Sequence, residues 1–331
     1  MASPLSGILP LFHHHRQFLL TTHVNPDGDG LGSQVALAAW LSRAGKQVHI
    51  VNHSPTPAVY RFLDPGNAVL RYDPARHADM VRAAGVIVVM DTNSPDRLRS
   101  MKDAVLASPA VKVCIDHHLD PSPFADHYVI DDNATSTGEI VYRLLLELNG
   151  KDLDPVMAGA LYTAVMTDTG SFRYPRVDAG THRMVAHLIE RGADPVRLYS
   201  EVYERWTPGR IHLLGAMLER LTVDAGGRLA WTSITRAMLQ ETGTTEEDTD
   251  NFTTYPMSIA GVEAGILFLE MPRGVKVSFR SRGEIPINEL AKQFGGNGHK
   301  NAAGARIDEG TLEDVRRSVI AAAGEFLRNH A

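Results

Sequence analysis

Five short apolar runs that alternate with helical stretches constrain the fold of this chain more than any other feature of its sequence. The runs lie at 18–22, 47–51, 86–90, 111–115 and 128–130. Helical patterns span about 33–44, 136–148, 155–167 and 178–191. Strands that alternate with helices favour a mostly parallel sheet with helices on both faces. The sequence therefore predicts an α/β fold for this part of the chain.

The chain is also long enough for a second core, since it has 331 residues and 44% hydrophobic content. We predict a first domain over residues 1–191, a helical connector and hinge over 192–222, and a smaller mixed α/β domain over 223–331. The connector is expected to hold one helix, from Arg210 to Leu221. The last domain is expected to have strands near 228–234, 263–270 and 275–281, and helices near 235–241, 287–294 and 311–328.

The segment 23–29, His-Val-Asn-Pro-Asp-Gly-Asp, follows the first apolar run and carries the strongest chemical signal. Its two carboxylates, Asp27 and Asp29, lie two residues apart on a turn rich in Pro and Gly. They repel each other unless a cation lies between them, and the imidazole of His23 suits Mn²⁺ better than Ca²⁺. Alone, the segment is equally compatible with a solvated surface turn.

Three further segments place acids and imidazoles at the ends of buried runs. One run ends on Asp91, the next on Asp116-His117-His118, and the apolar helical stretch 158–166 continues into Asp168. In an open α/β sheet, the ligand crevice lies beyond the carboxyl ends of the strands. We therefore expect these side chains to meet His23 at one edge and to form a metal cluster.

A glycine-rich turn between a strand and a helix also raises the alternative of a dinucleotide-binding fold. The turn is Gly28–Gly32, but its spacing misses the G-x-G-x-x-G pattern. Asp27 and Asp29 would face a pyrophosphate of like charge. The next strand ends on Asn52-His53 where such a fold places an acid for the ribose. These differences argue against a nicotinamide enzyme.

The order and content of these motifs resemble the DHH phosphoesterase superfamily. Near the C-terminus, the run Gly295–Gly304 resembles the GGGHxxAAG signature of the DHH-associated domain, with Asn297 in place of the third glycine. The segments 134–139 and 167–174 are most similar to nanoRNase/pAp phosphatases, where pAp is adenosine 3′,5′-bisphosphate. The resemblance implies a first domain that performs the chemistry and a second that binds substrate.

The resemblance also implies a cofactor of two divalent metal ions, with Mn²⁺ as the expected metal. One ion would be bound by His23, Asp27, Asp91 and Asp168. The other would be bound by Asp29, Asp91, His117 and Asp168. Two dications about 3.5–4 Å apart need shared anionic ligands and together activate water against a phosphate. Asp116 would orient an imidazole, and His118 would face the substrate as a catalytic residue.

Substrate-binding residues are expected in the second domain. The alternating segment 275–281 predicts a strand with one wet face, which carries Ser278 and Arg280, and the resemblance makes Arg280 a phosphate ligand. Glycines in the C-terminal signature let backbone approach a ligand, and His299 would touch its phosphate. The glycines concerned are Gly295, Gly296 and Gly298. Ala302-Ala303 is expected to start a helix whose amides attract an anion.

Composition narrows the substrate. The net charge is −6, which excludes a protein that wraps long nucleic acid but allows one that grips a short anion. The resemblance to nanoRNase/pAp phosphatases implies hydrolysis of very short RNA and of the 3′-phosphate of pAp. Two alternatives stay open: a phosphodiesterase for cyclic-di-AMP or its linear pNpN products, and a non-catalytic nucleotide sensor.

Location and assembly are less constrained by the sequence. No apolar run approaches the ~18 residues of a membrane span, and the N-terminus lacks a signal-peptide pattern. The single cysteine, Cys114, lies inside an apolar run and predicts a buried thiol in a reducing compartment. We therefore expect a cytoplasmic protein without a membrane partner. A homodimer is compatible with the sequence.

Overall fold

The computed structural model describes residues 4–149 and 152–330 and comprises two compact units. The N-terminal unit is Met1–Arg205 and the C-terminal unit is Trp206–Ala331. The division lies inside the predicted connector, and that segment contains two helices, Pro195–Tyr203 and Pro208–Leu218, where the sequence predicted one. The first of them was missed because it has only nine residues and contains valines and tyrosines, which favour strands over helices.

The N-terminal unit is built on a six-stranded parallel sheet with the order β3-β2-β1-β4-β5-β6. The strands are β1 Gln17–Thr21, β2 Gln47–Asn52, β3 Val69–Arg71, β4 Val86–Met90, β5 Val111–Asp116 and β6 His127–Ile130. Its helices are α1 Leu9–His14, α2 Gly28–Arg43, α3 Pro74–Ala83, α4 Lys102–Ala107, α5 Thr137–Asn149, α6 Pro155–Asp168, α7 Ala179–Glu190 and α8 Pro195–Tyr203. The predicted α/β class is confirmed.

Helices cover both faces of this sheet, as the alternation along β1 shows. Phe18 and Leu20 belong to one buried core, which includes residues of α2, α5 and α6. Leu19 belongs to a second core on the opposite face, together with Val81 of α3 and Val105 of α4. Successive side chains of a strand point to opposite faces, so a continuous apolar run is the expected sequence of a strand buried on both sides.

Helices α2 and α6 approach each other closely because glycine lies at their contact. A Cβ at Gly32 would be 2.4 Å from the carbonyl oxygen of Ala160, which no side chain tolerates. Helix α6 is buried from Met157 to Met166, so it lies inside the core rather than on its surface. This packing fixes the start of α2 beside the end of α6, where Asp29 and Asp168 lie.

The C-terminal unit has a mixed six-stranded sheet with the order β11-β12-β10-β9-β8-β7, in which only β8 and β9 pair in parallel among the described residues. The strands are β7 Thr222–Asp224, β8 Leu229–Ile234, β9 Ala264–Glu270, β10 Val275–Ser281, β11 Asn297–His299 and β12 Ala302–Ile307. The helices are α9 Pro208–Leu218, α10 Arg236–Thr242, α11 Ile287–Lys292 and α12 Leu312–Asn329.

The expectation that Ala302-Ala303 starts a helix is wrong. These residues begin β12, which pairs antiparallel with β10 from Ala302 opposite Arg280 to Ile307 opposite Val275. Alanine favours helix locally, but pairing with a buried neighbouring strand outweighs that small preference. No helix N-terminus is therefore formed there to attract an anion.

Short 3-10 helices complete the chain at Pro4–Gly7, Ala58–Leu63, Pro95–Met101, Ala225–Gly227, Glu246–Thr249, Phe252–Thr254 and Pro256–Ser258. In the described part of the chain, the helices are all too short or too polar to cross a membrane. Cys114 lies on β5 and is fully buried, as its sequence context predicted. Burial raises the pKa of this thiol, followed by a smaller effect of Asp116.

Candidate metal centre

Three adjacent strands deliver the predicted side chains to one edge of the parallel sheet. His23 follows β1, Asp91 follows β4, and Asp116 ends β5. Strands β1, β4 and β5 are consecutive in the sheet, so their carboxyl ends lie side by side. The edge is the one at which open α/β sheets hold their ligands. Helices α2 and α6 bring the remaining acids to it.

The segment that follows His23 differs from its prediction. Asp27 and Asp29 do not share a tight loop, because α2 already begins at Gly28 and Asp27 is its N-cap. The Asp27 carboxylate accepts hydrogen bonds from the backbone N–H groups of Asp29, at 3.0 Å, and Gly30, at 3.1 Å. Asp27 therefore lies just before the helix, and Asp29 lies in its first turn. We predicted that this helix begins at Ser33, because the glycines before Ser33 have low helix propensity.

One cluster contains His23, Asp27 and Asp91, each with a ligand atom within 4.8 Å of the others. The His23 Nε2 atom lies 3.1 Å from an oxygen of Asp91 and 3.9 Å from an oxygen of Asp27. Burial disfavours the charged imidazole, but hydrogen bonds to Asp27 and Asp91 outweigh it and raise the pKa of His23 to about 10. The carboxylates thus create a strong local demand for positive charge.

A second cluster contains Asp29, His117 and Asp168. The buried Nε2 atom of His117 lies 3.3 Å from Asp168, 3.7 Å from Asp91 and 3.8 Å from Asp29. This nitrogen makes no hydrogen bond to any described residue. A buried polar atom without a partner is costly, and a nitrogen surrounded by three carboxylates suits a cation at its centre.

The acids of the second cluster also fit a bound cation. Burial and then the charge of Asp91 raise the pKa of Asp29 and of Asp168 well above the usual range. Carboxylates that destabilise one another in this way become stable when divalent cations lie among them. The donor set therefore fits metal binding. Within the described residues, Asp168 groups with the second cluster only, whereas the resemblance also assigned it to the first.

Asp91 contacts both clusters and has an unusual backbone conformation. Its carboxylate approaches His23 through one oxygen and His117 through the other. Its φ is +58°, in the left-handed region that non-glycine residues seldom adopt. A hydrogen bond from its N–H to the carbonyl of Ile115, at 3.0 Å, holds that conformation. Strain of this kind is typical of functional sites.

Helix α5, which follows β6, also contributes to the centre. The N–H groups of Thr137 and Gly138, in the first turn of α5, donate to the two oxygens of Asp29 at 2.7 and 2.8 Å. Each oxygen of Asp29 thus accepts one backbone hydrogen bond and keeps a second lone pair for a cation. Sequence analysis did not assign them a role. The available signal was the Ser/Thr/Gly-rich start of α5, where Ser136 accepts from the Glu139 N–H at 3.1 Å.

Asp116 and His118 form a pair beside the clusters. The Nδ1 atom of His118 lies 2.7 Å from an oxygen of the fully buried Asp116. Burial lowers the pKa of His118, but the Asp116 hydrogen bond and charge outweigh it and raise the pKa above its usual value. Asn93 donates to the carbonyls of His118 and Leu119, both at 2.9 Å, and so fixes this loop. Sequence analysis missed Asn93.

The predicted substrate residues lie in the C-terminal unit. Ser278 and Arg280 share the half-buried face of β10, whose burial alternates along the strand. Gly298 has φ +153°, and a Cβ there would lie 2.4 Å from the carbonyl of Ala302. Gly295 also has a positive φ, of +70°, and Gly296 would clash with Gly304 if it carried a Cβ. The side chain of His299 lies outside the described part of the structure.

Comparison with known proteins identifies both units. Residues 17–165 match the N-terminal domain of the DHH family, and residues 232–329 match the DHHA1 domain. The bifunctional oligoribonuclease and PAP phosphatase NrnA of Thermus thermophilus is 29% identical over 308 residues, which is 93% of this chain and 89% of that protein. The protein of the same name from Bacillus subtilis is 28% identical over 292 residues, covering 87% of this chain and 88% of its own.

A solved structure agrees with these sequence matches. An exopolyphosphatase-related protein from Bacteroides fragilis aligns with a TM-score of 0.92 at 29% identity, over 97% of this chain and 95% of that one. The acids and imidazoles at the sheet edge lie within the stretch that the DHH family model matches, apart from Asp168. The chain therefore belongs to the DHH family of phosphoesterases, and a DHHA1 domain follows its N-terminal DHH domain.

Proposed function

We propose that this chain hydrolyses very short oligoribonucleotides to mononucleotides and removes the 3′-phosphate of pAp, with two Mn²⁺ ions as cofactor. The observation that carries the proposal is the pair of carboxylate–imidazole clusters that meet at Asp91. The similarity to two bifunctional oligoribonucleases and PAP phosphatases over most of the chain supports the substrate class.

Each cluster would hold one ion, and the two ions would share Asp91 and, as the family resemblance implies, Asp168. One ion would be held by His23, Asp27, Asp91 and Asp168. The other would be held by Asp29, Asp91, His117 and Asp168. The mixture of imidazole and carboxylate favours Mn²⁺ over Ca²⁺. When bound, such a pair of cations activates water as a nucleophile and neutralises charge on the reacting phosphate.

The chain's own residues would complete the chemistry. Asp116 holds the Nδ1 atom of His118 and favours its protonated form, so that the imidazolium donates a proton to the leaving oxygen. Thr137 and Gly138 fix the Asp29 carboxylate through their N–H groups, which keeps its orientation constant during turnover. Both contributions are made by groups that stay in place throughout the reaction.

The DHHA1 domain would bind the substrate. Arg280 offers a planar fork for a phosphate, and Ser278 lies on the same face of β10. Gly295, Gly296 and Gly298 carry no side chains, so this loop would approach the substrate closely, and His299 would contact its phosphate. The net charge of −6 favours a short substrate, and these substrates imply a cytoplasmic location.

A substrate panel tests the proposal. Purified protein is incubated with Mn²⁺ and with pAp, pApA, cyclic-di-AMP, pyrophosphate, and RNAs of two to 24 residues, and kcat/KM is compared. We expect pAp and the shortest RNAs to be the best substrates and a chelator to abolish turnover. A preference for cyclic-di-AMP would assign the chain to the cyclic dinucleotide phosphodiesterases. Binding of nucleotides without any turnover would instead identify a sensor.

A further inference from the structure

The segment that follows Asp168 has a backbone that only strong constraints maintain. Three consecutive residues lie in the left-handed region: Gly170 with φ +55°, Ser171 with φ +60° and Phe172 with φ +64°. A bulky residue pays a conformational cost there. The Phe172 N–H donates to the Thr169 hydroxyl at 3.0 Å, and its ring packs against Tyr162 with centroids 5.6 Å apart. The turn is thus firmly anchored in the core.

This turn presents Tyr174 to solvent in a fixed position. The Tyr174 N–H donates to the carbonyl of Thr169 at 3.1 Å, and the side chain is 51% exposed. Its ring lies against Gly170, where a Cβ would come within 2.6 Å of a ring carbon. The absence of that Cβ lets the ring lie on the backbone. An immobilised aromatic ring on the surface loses little entropy when a ligand stacks on it.

Two further tyrosines extend the aromatic area. Burial raises the pKa of Tyr203, Ser171 opposes that rise, and the neighbouring Tyr174 and Tyr199 add to it. The rings of Tyr199 and Tyr203 lie with centroids 4.8 Å apart, and Tyr199 is 43% exposed. We call Tyr174, Tyr199 and Tyr203 the tyrosine surface. It belongs entirely to the N-terminal unit and begins six residues after Asp168.

The charge beside the tyrosine surface is positive. Arg173 donates to the carbonyl of Gly170 at 2.7 Å and is exposed. Arg176 is exposed as well, and it makes no hydrogen bond or ion pair within the described parts of the chain. Arg176 follows Asp168 by eight residues and Tyr174 by two. An arginine without an acidic partner suits an anionic ligand.

We propose that the tyrosine surface stacks against nucleobases of an oligoribonucleotide beyond the nucleotide that is cleaved, while Arg176 binds a backbone phosphate there. The proposal rests on the proposed function and extends it by naming where the rest of the substrate lies. Aromatic rings next to cationic side chains match single-stranded RNA in both chemistry and charge. Every base has a π-face, so such a surface accepts short RNAs without sequence preference.

The test compares substrates that do or do not reach this surface. KM and kcat are measured with Mn²⁺ for pAp, for the trinucleotide pApApA, and for a trinucleotide whose second and third residues lack bases. We expect Tyr174→Ala to raise KM for pApApA by about fivefold or more, which is the lower range for one stacked base. In the same variant, KM for pAp and KM for the abasic trinucleotide should stay within twofold of the wild-type values.

Three controls separate stacking from other effects. Tyr174→Phe keeps the ring and should behave as wild type, whereas a hydroxyl contact would make it resemble Tyr174→Ala. Arg176→Ala should raise KM for both trinucleotides equally, because it removes a phosphate contact. Arg328 is an exposed arginine on α12, and Arg328→Ala should leave KM for every substrate unchanged. Thermal unfolding midpoints show whether each variant is folded.

If the Tyr174→Ala protein has the same KM for pApApA as wild type, the proposal is wrong. The tyrosine surface would then bind a protein partner or a second copy of this chain. An equal loss on the abasic trinucleotide would also overturn it. If wild-type protein hydrolyses none of these compounds, the proposed function is wrong. In that case, fluorescence anisotropy with a fluorescein-labelled five-residue oligoadenylate tests stacking separately. If Tyr174→Ala binds this RNA with the same Kd as wild type, the stacking proposal is wrong.

Discussion

At the scale of single residues, Asp91 matters most because it belongs to both halves of the candidate metal centre. It is 2% exposed, and its two oxygens face two different imidazoles. Asp27, by contrast, belongs to the cluster with His23 but not to the cluster with His117, and it also serves as a helix cap. The two acids therefore differ in how many metal positions they support.

Replacing Asp91 by Ala should lower kcat/KM for pAp by about a thousandfold or more, because a shared ligand is lost from both ions. Isothermal titration should show that Mn²⁺ binds less tightly at both positions. Asp27→Ala should weaken one position only. Asp103→Ala, which removes an exposed acid on α4, is the matched control. Near-normal turnover of the Asp91→Ala protein would refute the two-metal assignment.

The pair Asp116–His118 predicts a pH effect. Burial lowers the pKa of His118, but Asp116 outweighs this and raises it, which extends the protonated form to higher pH. If that form donates to the leaving oxygen, kcat falls as pH rises through the pKa. Asp116→Asn removes the charge, so the alkaline limb of the kcat profile should move to lower pH. His118→Ala should lower kcat with Mn²⁺ binding nearly intact.

The matched control for this pair is Asp120→Asn, an exposed residue on the same loop whose left-handed φ of +58° asparagine also tolerates. Its profile should follow wild type. An alkaline limb that does not move in Asp116→Asn, at equal Mn²⁺ content, would exclude His118 as the proton donor. The pair would then serve only to hold the loop.

At the scale of elements, the strands were predictable where burial made them continuous apolar runs. β4 spans 86–90 as expected, and β9 spans Ala264–Glu270. β3 was missed because its three residues are only half-buried or exposed and leave no apolar pattern. β12 was mistaken for a helix because alanine carries no strand signal of its own. Pairing partners, which the sequence does not display, decided both cases.

The candidate site was predictable to a similar extent. The sequence named the acids and imidazoles, because each follows a recognisable strand or helix. It did not reveal the N–H groups of Thr137 and Gly138, which reach Asp29 from 108 and 109 residues further along the chain. Every residue except proline has a backbone N–H, so the sequence does not show which N–H groups bind Asp29. They can be identified only when the position of the helix is known. Asn93 was missed for the related reason that its partners are carbonyls.

The contact between α2 and α6 gives an element-scale prediction. Gly32→Ala places a Cβ 2.4 Å from the Ala160 carbonyl oxygen. Overpacking of this kind should lower the free energy of unfolding by about 1–3 kcal/mol. Because α2 carries Asp29 and α6 carries Asp168, Mn²⁺ affinity should fall as well. Urea unfolding and isothermal titration provide the two measurements.

Gly159 offers a matched control on the partner helix. It is also a helical glycine, yet nothing lies within 4 Å of the Cβ it would carry. Gly159→Ala should raise the free energy of unfolding by up to about 1 kcal/mol, since alanine favours helix. Equal effects of the two substitutions would mean that the close approach at Gly32 has no energetic role.

At the scale of the whole molecule, charge limits the length of the substrate. The chain has 33 basic and 39 acidic residues and a net charge of −6, so we expect it to make only a few phosphate contacts. Raising salt from ~50 to ~200 mM should therefore raise KM for a trinucleotide by only about tenfold, as expected for two or three contacts. Catalytic efficiency should fall steeply beyond about five nucleotides. Equal efficiency on a 24-residue RNA would point to a processive nuclease.

The burial of Cys114 has a practical consequence for spectroscopy. This thiol is the only one in the chain, it lies within β5 with none of its surface exposed, and its raised pKa keeps it protonated. Maleimide dyes should leave it unmodified in the folded protein. Cysteines introduced at Leu106 and Leu218, exposed positions in different units, would then accept a donor–acceptor pair without removal of the native cysteine. Single-molecule energy transfer would follow both units while RNA binds and leaves.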